Sequence, residues 1–362
     1  MLTAAATLLG SAAVLAAAAV PGAAPLGSEV QLRSELQLES SSRFQQTHTT
    51  TSQIVGITDV VNGAERQVTE LPAMHWEVVE VLDWLDVAST SAPRGDNLGT
   101  APQVERDFTR LTRSRRERVD GSVDSSLELG TLQGLAVSML QTENGWAVSY
   151  VQTGESGEVA RPVDEAAETQ SAEAESGPDP AWLSGITYHA PFAGFLPADG
   201  VAQVGDTWEA DLDAWRAVLR PSGDLVYLDQ SGVVVDDTID TDLLGALKGK
   251  ITCTLTGVQG DAATIAVQVR VSSRKQVEGQ LDRDDPGIVT ASFMRSIGLR
   301  GVYDGTLVWD MVQLRARSFD LTGKATWNID ETTLMNFENG TEWAQGKLME
   351  LAAEHTLEAT LE

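Results

Sequence analysis

The sequence predicts a mainly β fold: curved antiparallel sheets of half-barrel outline, few short helices, and an N-terminal signal helix. Two observations carry this. Segment after segment alternates apolar and polar residues with period two, the pattern of a strand with one wet face. Helical spacing is confined to short stretches. A sheet with one wet face is antiparallel, because parallel sheets are covered on both sides and read as continuous apolar runs.

The alternation can be followed along the chain. VQLRSELQLE (30–39) and RFQQTHTTTSQIV (43–55) read as strands, the second rich in threonine. ITCTL puts Ile251, Cys253 and Leu255 on one side, and TIAVQVRV does the same with Ile265, Val267, Val269 and Val271. GTLVWDM alternates through Leu307, Trp309 and Met311, KATWNI through Ala325, Trp327 and Ile329, and HTLEATLE through Leu357, Ala359 and Leu361. The clearest helix is DLDAWRAVL, 211–219. Asp211 can cap it, Leu212, Trp215 and Leu219 stand at helical spacing, and Pro221 follows its end. Shorter helices or turns are expected around 181–186 and 243–247. Asn339-Gly340 is the strongest kind of two-residue hairpin signal, and a turn is preferred there to glycosylation of Asn339.

Residues 2–25, LTAAATLLGSAAVLAAAAVPGAAP, hold no charged side chain. They predict a signal peptide within 1–28 and export to the periplasm or the exterior, with a membrane anchor as the alternative. A signal normally opens with Lys or Arg; here only the amino group of Met1 supplies positive charge. The chain then divides into an N-terminal β region (29–152), an acidic linker or long loop (153–180) and a C-terminal β region (181–362). Further loops are expected at 94–102 and at DRDDPG, 282–287.

Hydrophobic residues make up 42% of the chain, enough for a sizeable core. The net charge of −28 argues against nucleic acid and against anionic membrane surfaces as partners. Cys253 is the only cysteine, so no intrachain disulfide forms, and its place on an apolar strand face predicts a buried, inert thiol. There is no Gly-x-Ser-x-Gly, His-Glu-x-x-His, Walker or dinucleotide motif. His48, His75, His189 and His355 are scattered without metal-ligand spacing. Two acidic clusters, Asp236, Asp237, Asp240 and Asp242, and Asp282, Asp284 and Asp285, lack EF-hand spacing. No catalytic residue, metal or cofactor is therefore assigned. Six arginines between Arg106 and Arg118 form the one basic island. They read as a strand whose arginines pair with acidic neighbours.

Residues 181–219, AWLSGITYHAPFAGFLPADGVAQVGDTWEADLDAWRAVL, are the most distinctive text. Phe192, Phe195, Leu196 and Pro197 precede a turn at Asp199-Gly200. Gly205 and Asp206 of VGDTWEAD then turn into a strand carrying Trp208. This segment resembles one in uncharacterised secreted bacterial proteins, where an LP element precedes a V-G-D-T-W turn and strands like GTLVWDM and SFDLTGKATW follow. The resemblance covers the C-terminal half and, more faintly, 30–150. It implies a secreted β-rich protein and brings no catalytic residues. The outline is similar to the half-barrels of periplasmic lipoprotein carriers, which hold acyl chains in a concave sheet, a likeness of fold alone.

The resulting expectation is an exported, non-enzymatic protein binding an apolar small molecule or a cell-envelope partner. Strands 251–271 and 305–329 would line a groove closed by 190–219, with Trp208, Trp309 and Trp327 as ligand-binding residues. The alternatives are an extracellular hydrolase working through paired carboxylates, or a structural or interaction protein with no small ligand.

Overall fold

A computed structural model describes residues 29–68, 70–90, 101–151, 178–235, 238–280 and 288–362. The expected signal segment, the 282–287 loop, nearly all of the 94–102 loop and most of the acidic linker lie outside the described residues. So do Asp236, Asp237 and the second acidic cluster.

The N-terminal part forms β1 (Glu29–Gln31), β2 (Ser40–Val61), β3 (Ala64–Gln67), β4 (Met74–Thr90), β5 (Pro102–Val119), β6 (Ser122–Gly130), β7 (Ala136–Thr142) and β8 (Gly145–Tyr150). A middle segment follows with β9 (Val201–Gln203), β10 (Thr207–Ala210), α1 (Leu212–Leu219), β11 (Tyr227–Leu228) and α2 (Thr238–Gly245). Five long strands close the chain: β12 (Lys248–Gln259), β13 (Ala262–Gln280), β14 (Ile288–Asp310), β15 (Arg315–Phe337) and β16 (Glu342–Leu361). The fold is mainly β with antiparallel pairing and few short helices, as the alternation predicts.

Fourteen of the strands belong to one sheet, whose main path runs β10-β12-β13-β14-β15-β16-β2-β4-β5-β6-β11. The other two, β1 and β9, form a separate ribbon. The N-terminal and C-terminal regions meet inside the sheet, where β16 pairs β2 from Gln345↔Val61 to Leu361↔Phe44. Turn chemistry acts where expected: Gly340, at φ 77°, follows Asn339 in the β15–β16 hairpin, and Asn339 Oδ1 accepts from Thr341 N at 2.9 Å. The strand expected over 30–39 is confined to β1. Leu32 N still donates to Gly200 O at 2.8 Å, but its side chain is buried in the core and that of Leu36 packs partly buried against it.

The sheet must curl. β10 lies at one end of its order and β11 at the other, ten strand-to-strand steps apart, which is about 48 Å along the sheet. The segment joining them contains the eight-residue α1 and reaches no more than about 44 Å even with the rest fully stretched. A turn in which Gly223 N donates to Arg220 O at 3.0 Å shortens it further. The two edges are therefore drawn toward each other, the sheet stays open, and residues 211–226 strap its concave side.

The strap is fixed locally. Asp211 Oδ1 accepts from Asp213 N at 2.8 Å and caps α1, a bond worth about 1 kcal/mol. Ala214, Trp215 and Val218 bury the inner face of the helix. The basic island on β5 pairs with carboxylates: Arg106 with Asp86, Arg113 with Glu80 and Glu128, Arg115 with Glu128, and Arg116 with Glu77. Ile251, Cys253 and Leu255 are all 0% exposed. Burial pushes the Cys253 thiol up to about 12, so it stays protonated at neutral pH.

Candidate functional site

The concave side is filled at one end and hollow at the other. At the filled end, Phe192, Phe195, Ala214, Trp215 and Val218 pack against Ile265, Val267, Val269, Leu307, Phe319 and Leu321. Of the segments expected to bound a groove, 251–271 packs within this core, whereas Trp215 and Leu219 of 190–219 and Leu321 and Trp327 of 305–329 reach the hollow. It is a cavity of about 610 Å³ between the later strap, α2 and the sheet, within the roughly 300–1,000 Å³ usual for ligand sites.

Its walls change character along the strand order. From β14, β15 and β16 come Leu299, Tyr303, Leu321, Trp327, Ile329 and Leu351; α2 and the turn after it add Leu243, Leu244 and Leu247. β2 contributes His48, Thr50 and Ser52. β4 and β5 add Val78, Leu82, Glu80, Arg113 and Arg115, the strap adds Arg220, and β11 adds Tyr227. The wall therefore runs from apolar, through neutral polar, to charged.

The charged end is cross-linked. Arg113 Nη2 donates to Glu80 Oε1 at 3.3 Å and its Nη1 to Glu128 Oε2 at 3.4 Å. Arg115 Nε lies 2.6 Å from Glu128 Oε1. Tyr227 Oη donates to Glu80 Oε1 at 2.9 Å, and the Arg113 guanidinium sits 4.1 Å over the Tyr227 ring. The strand that follows the strap, β11, is thereby tied to β4 and β5 beside the hollow.

The middle of the wall is an aromatic row. Trp215 and Tyr303 lie 4.8 Å apart, Tyr303 meets His355 edge-on at 5.5 Å, and His355 stacks on His48 at 5.6 Å. Two glycines make room for the Tyr303 ring. A Cβ on Gly323 would stand 2.2 Å from Tyr303 Cδ1, and one on Gly301 would stand 2.4 Å from Cε2. Thr50 Oγ1 shares a 3.0 Å hydrogen bond with His355 Nδ1, whereas the buried His355 Nε2 has no partner among the described residues. Placing the proton on Nδ1 leaves no buried donor unmet.

Burial, then repulsion from His48, holds the His355 imidazolium down to about 4; burial lowers His48 too, against the pull of Glu80. Both rings are neutral at neutral pH. For His355 the folded value lies below the unfolded one, near 6.5. Its contribution to stability is therefore complete above pH ~6.5 and lost as pH falls toward ~4. We expect this loss to be about 3 kcal/mol. Thermal unfolding between pH 7 and 4.5 should show a steeper fall for the wild type than for His355→Gln; equal slopes would contradict it.

The three tryptophans singled out by sequence are not brought together. Trp327 lines the cavity. Trp309 is 1% exposed in the packed core and borders a separate hollow of about 340 Å³ with Tyr188 and Leu361. Trp208 packs against the core with its Nε1 donating to Phe195 O at 2.8 Å, away from the cavity. The sequence reading missed Glu80, His48 and His355 as wall residues. The available signal was parity: His48 follows Phe44 and Gln46 at even positions, Glu80 precedes Leu82 and Trp84, and His355 precedes Leu357 and Ala359.

A larger depression of about 1090 Å³ lies over Arg33, Glu35, Glu209, Asp213 and Arg216. It is open to solvent and lined by charges of both signs, so it offers little desolvation to a ligand. No group of His, Cys, Asp and Glu suited to a metal occurs among the described residues. Among those residues, too, no helix is long and apolar enough to cross a membrane.

No family model matches the chain, and no curated protein matches it. Among solved structures, the crystal structure of OccAB2 from Acinetobacter baumannii aligns with 87% of this chain and 98% of its own. The identity is 7% and the TM-score 0.15, a likeness that bears on neither fold nor function.

Proposed function

We propose that this is an exported, non-enzymatic binding protein that holds an apolar ligand between its curved sheet and the strap. The observation that carries this reading is the 610 Å³ cavity, whose wall is mostly leucine, isoleucine and aromatic side chains with a few polar groups at one end. Such a combination is the usual form of a small-molecule site. Export rests on the uncharged residues 2–25. The hydrolase alternative has less support, because among the described residues Glu80 is the one carboxylate in the wall and already accepts from Arg113 and Tyr227.

Protein recovered from the exported fraction, with its new N-terminus between about residues 20 and 29, should bind the neutral apolar dye N-phenyl-1-naphthylamine saturably. Leu351→Trp, which fills the hollow, should weaken binding by about tenfold, the equivalent of losing roughly 1.4 kcal/mol of contact. Non-saturable dye fluorescence, or equal binding by wild type and Leu351→Trp, would overturn the reading.

A further inference from the structure

The gradient of the cavity wall specifies more than an apolar ligand. Its apolar part spans β14, β15 and β16, its histidines and hydroxyls sit on β2 and β16, and its guanidiniums are on β5 and the strap. From β14 to β5 there are five strand-to-strand steps, about 24 Å along the sheet. That span exceeds the length of one acyl chain, which fills half of a hydrocarbon core about 30 Å thick, and leaves room for a head group at the β5 end.

The sign of the head group follows from the charges. The protein carries a net −28, yet among the described residues the cavity wall contains Arg113, Arg115 and Arg220 against the single carboxylate of Glu80. Glu128 is not part of the wall. It belongs to β6, has a side chain 6% exposed, and orients both Arg113 and Arg115 from that side. Asp224, the partner of Arg220, has a side chain 51% exposed and faces water. Apart from Glu80, the carboxylates that pair with these cations thus lie behind them or in solvent. Guanidiniums fixed in this way suit a carboxylate or phosphate, which they bind through paired N–H donors.

We infer that the ligand is a single-chain amphiphile with an anionic head, its chain lying over β14–β16 and its carboxylate or phosphate facing Arg113, Arg115 and Arg220. The inference rests on the proposed binding of an apolar ligand in this cavity.

Displacement of the bound neutral dye tests it with three ligands of equal chain length: a fatty acid, the corresponding primary alcohol and the corresponding trimethylammonium. All are used below micelle formation. The acid should displace the dye about tenfold more effectively than the alcohol, the increment of one charge-assisted hydrogen bond, and the cation should be weakest. A monoacyl phosphate assayed beside the acid identifies which anionic head is preferred. Arg220→Gln and Arg115→Gln, both partly exposed positions, should each reduce the ratio of displacement by acid to displacement by alcohol. Equal displacement by acid, alcohol and cation would overturn the head-group inference and leave apolar binding standing. Failure of the dye itself to bind would remove the underlying reading instead. The comparison in the wild-type protein decides the matter even if a variant does not fold.

Discussion

Replacing Arg106 with methionine is expected to lower the unfolding free energy by about 3–5 kcal/mol, the usual consequence of stranding one partner of a buried ion pair. Arg106 is 0% exposed and Asp86 is 8% exposed. Its Nε and Nη2 donate to the two Asp86 oxygens at 2.7 and 2.8 Å, and Nη1 donates to Ser222 Oγ at 2.8 Å. The guanidinium also lies 4.4 Å over the Trp84 ring. Without it, the Asp86 carboxylate would remain buried in an aromatic surround, and Ser222, which belongs to the strap, would lose its tie to β5. The double variant Asp86→Leu with Arg106→Met should recover most of the loss, because no buried charge remains. Urea unfolding followed by tryptophan emission measures both. A single-variant loss below about 1 kcal/mol would place this pair with exposed ones.

Gly323→Ala is expected to destabilise the protein by about 1–3 kcal/mol through overpacking, and to weaken dye binding as well. Gly323 lies opposite Tyr303 on β14 and opposite His355 on β16, so its missing side chain is the gap through which Tyr303 reaches His355. The nearest obstacles to a Cβ are Tyr303 Cδ1 at 2.2 Å and Val302 O at 2.6 Å. The backbone oxygen cannot yield as a side chain can, so the Tyr303 ring must shift, disturbing its contacts with Trp215 and His355. Chemical denaturation reports the stability change, and the emission of Trp215 and Trp327 reports the ring movement. Wild-type stability and dye affinity in Gly323→Ala would show that the ring has space to spare.

Much of the fold was legible before any coordinates. Period-two alternation correctly placed the buried faces of 251–271, 305–311 and 355–362, and Asp211, Trp215 and Pro221 marked α1. The failures have identifiable physical causes. VQLRSELQLE alternates like a strand, but the ladder ends at Gln31, one further bond joins Leu32 N to Gly200 O, and the leucines then follow the core, Leu32 buried and Leu36 partly so. Trp208, Trp309 and Trp327 are chemically equivalent in the sequence. Their surroundings differ because the strap covers only part of the concave face.

The sequence by itself determined which residues share a face within each regular run of a strand, where several turns fall, and how acidic the chain is. Each of these depends on neighbours within a few residues. Only the tertiary structure decided which strands adjoin. The Thr50–His355 contact joins residues 305 apart in the chain, a pairing that no local pattern encodes. It also decided which way the basic island points. Val104, Arg106 and Phe108 face inward at even positions, but a register shift between Asp83 and Trp84, opposite Arg110 and Phe108 on β5, inserts an extra residue. From Leu111 onward the inward positions are odd, so Arg113 and Arg115 come to the cavity. A one-residue bulge reverses the faces of everything that follows it. It arises from how two strands fit together across the curved sheet, so the charged end of the cavity could not be read from the alternation of β5 alone.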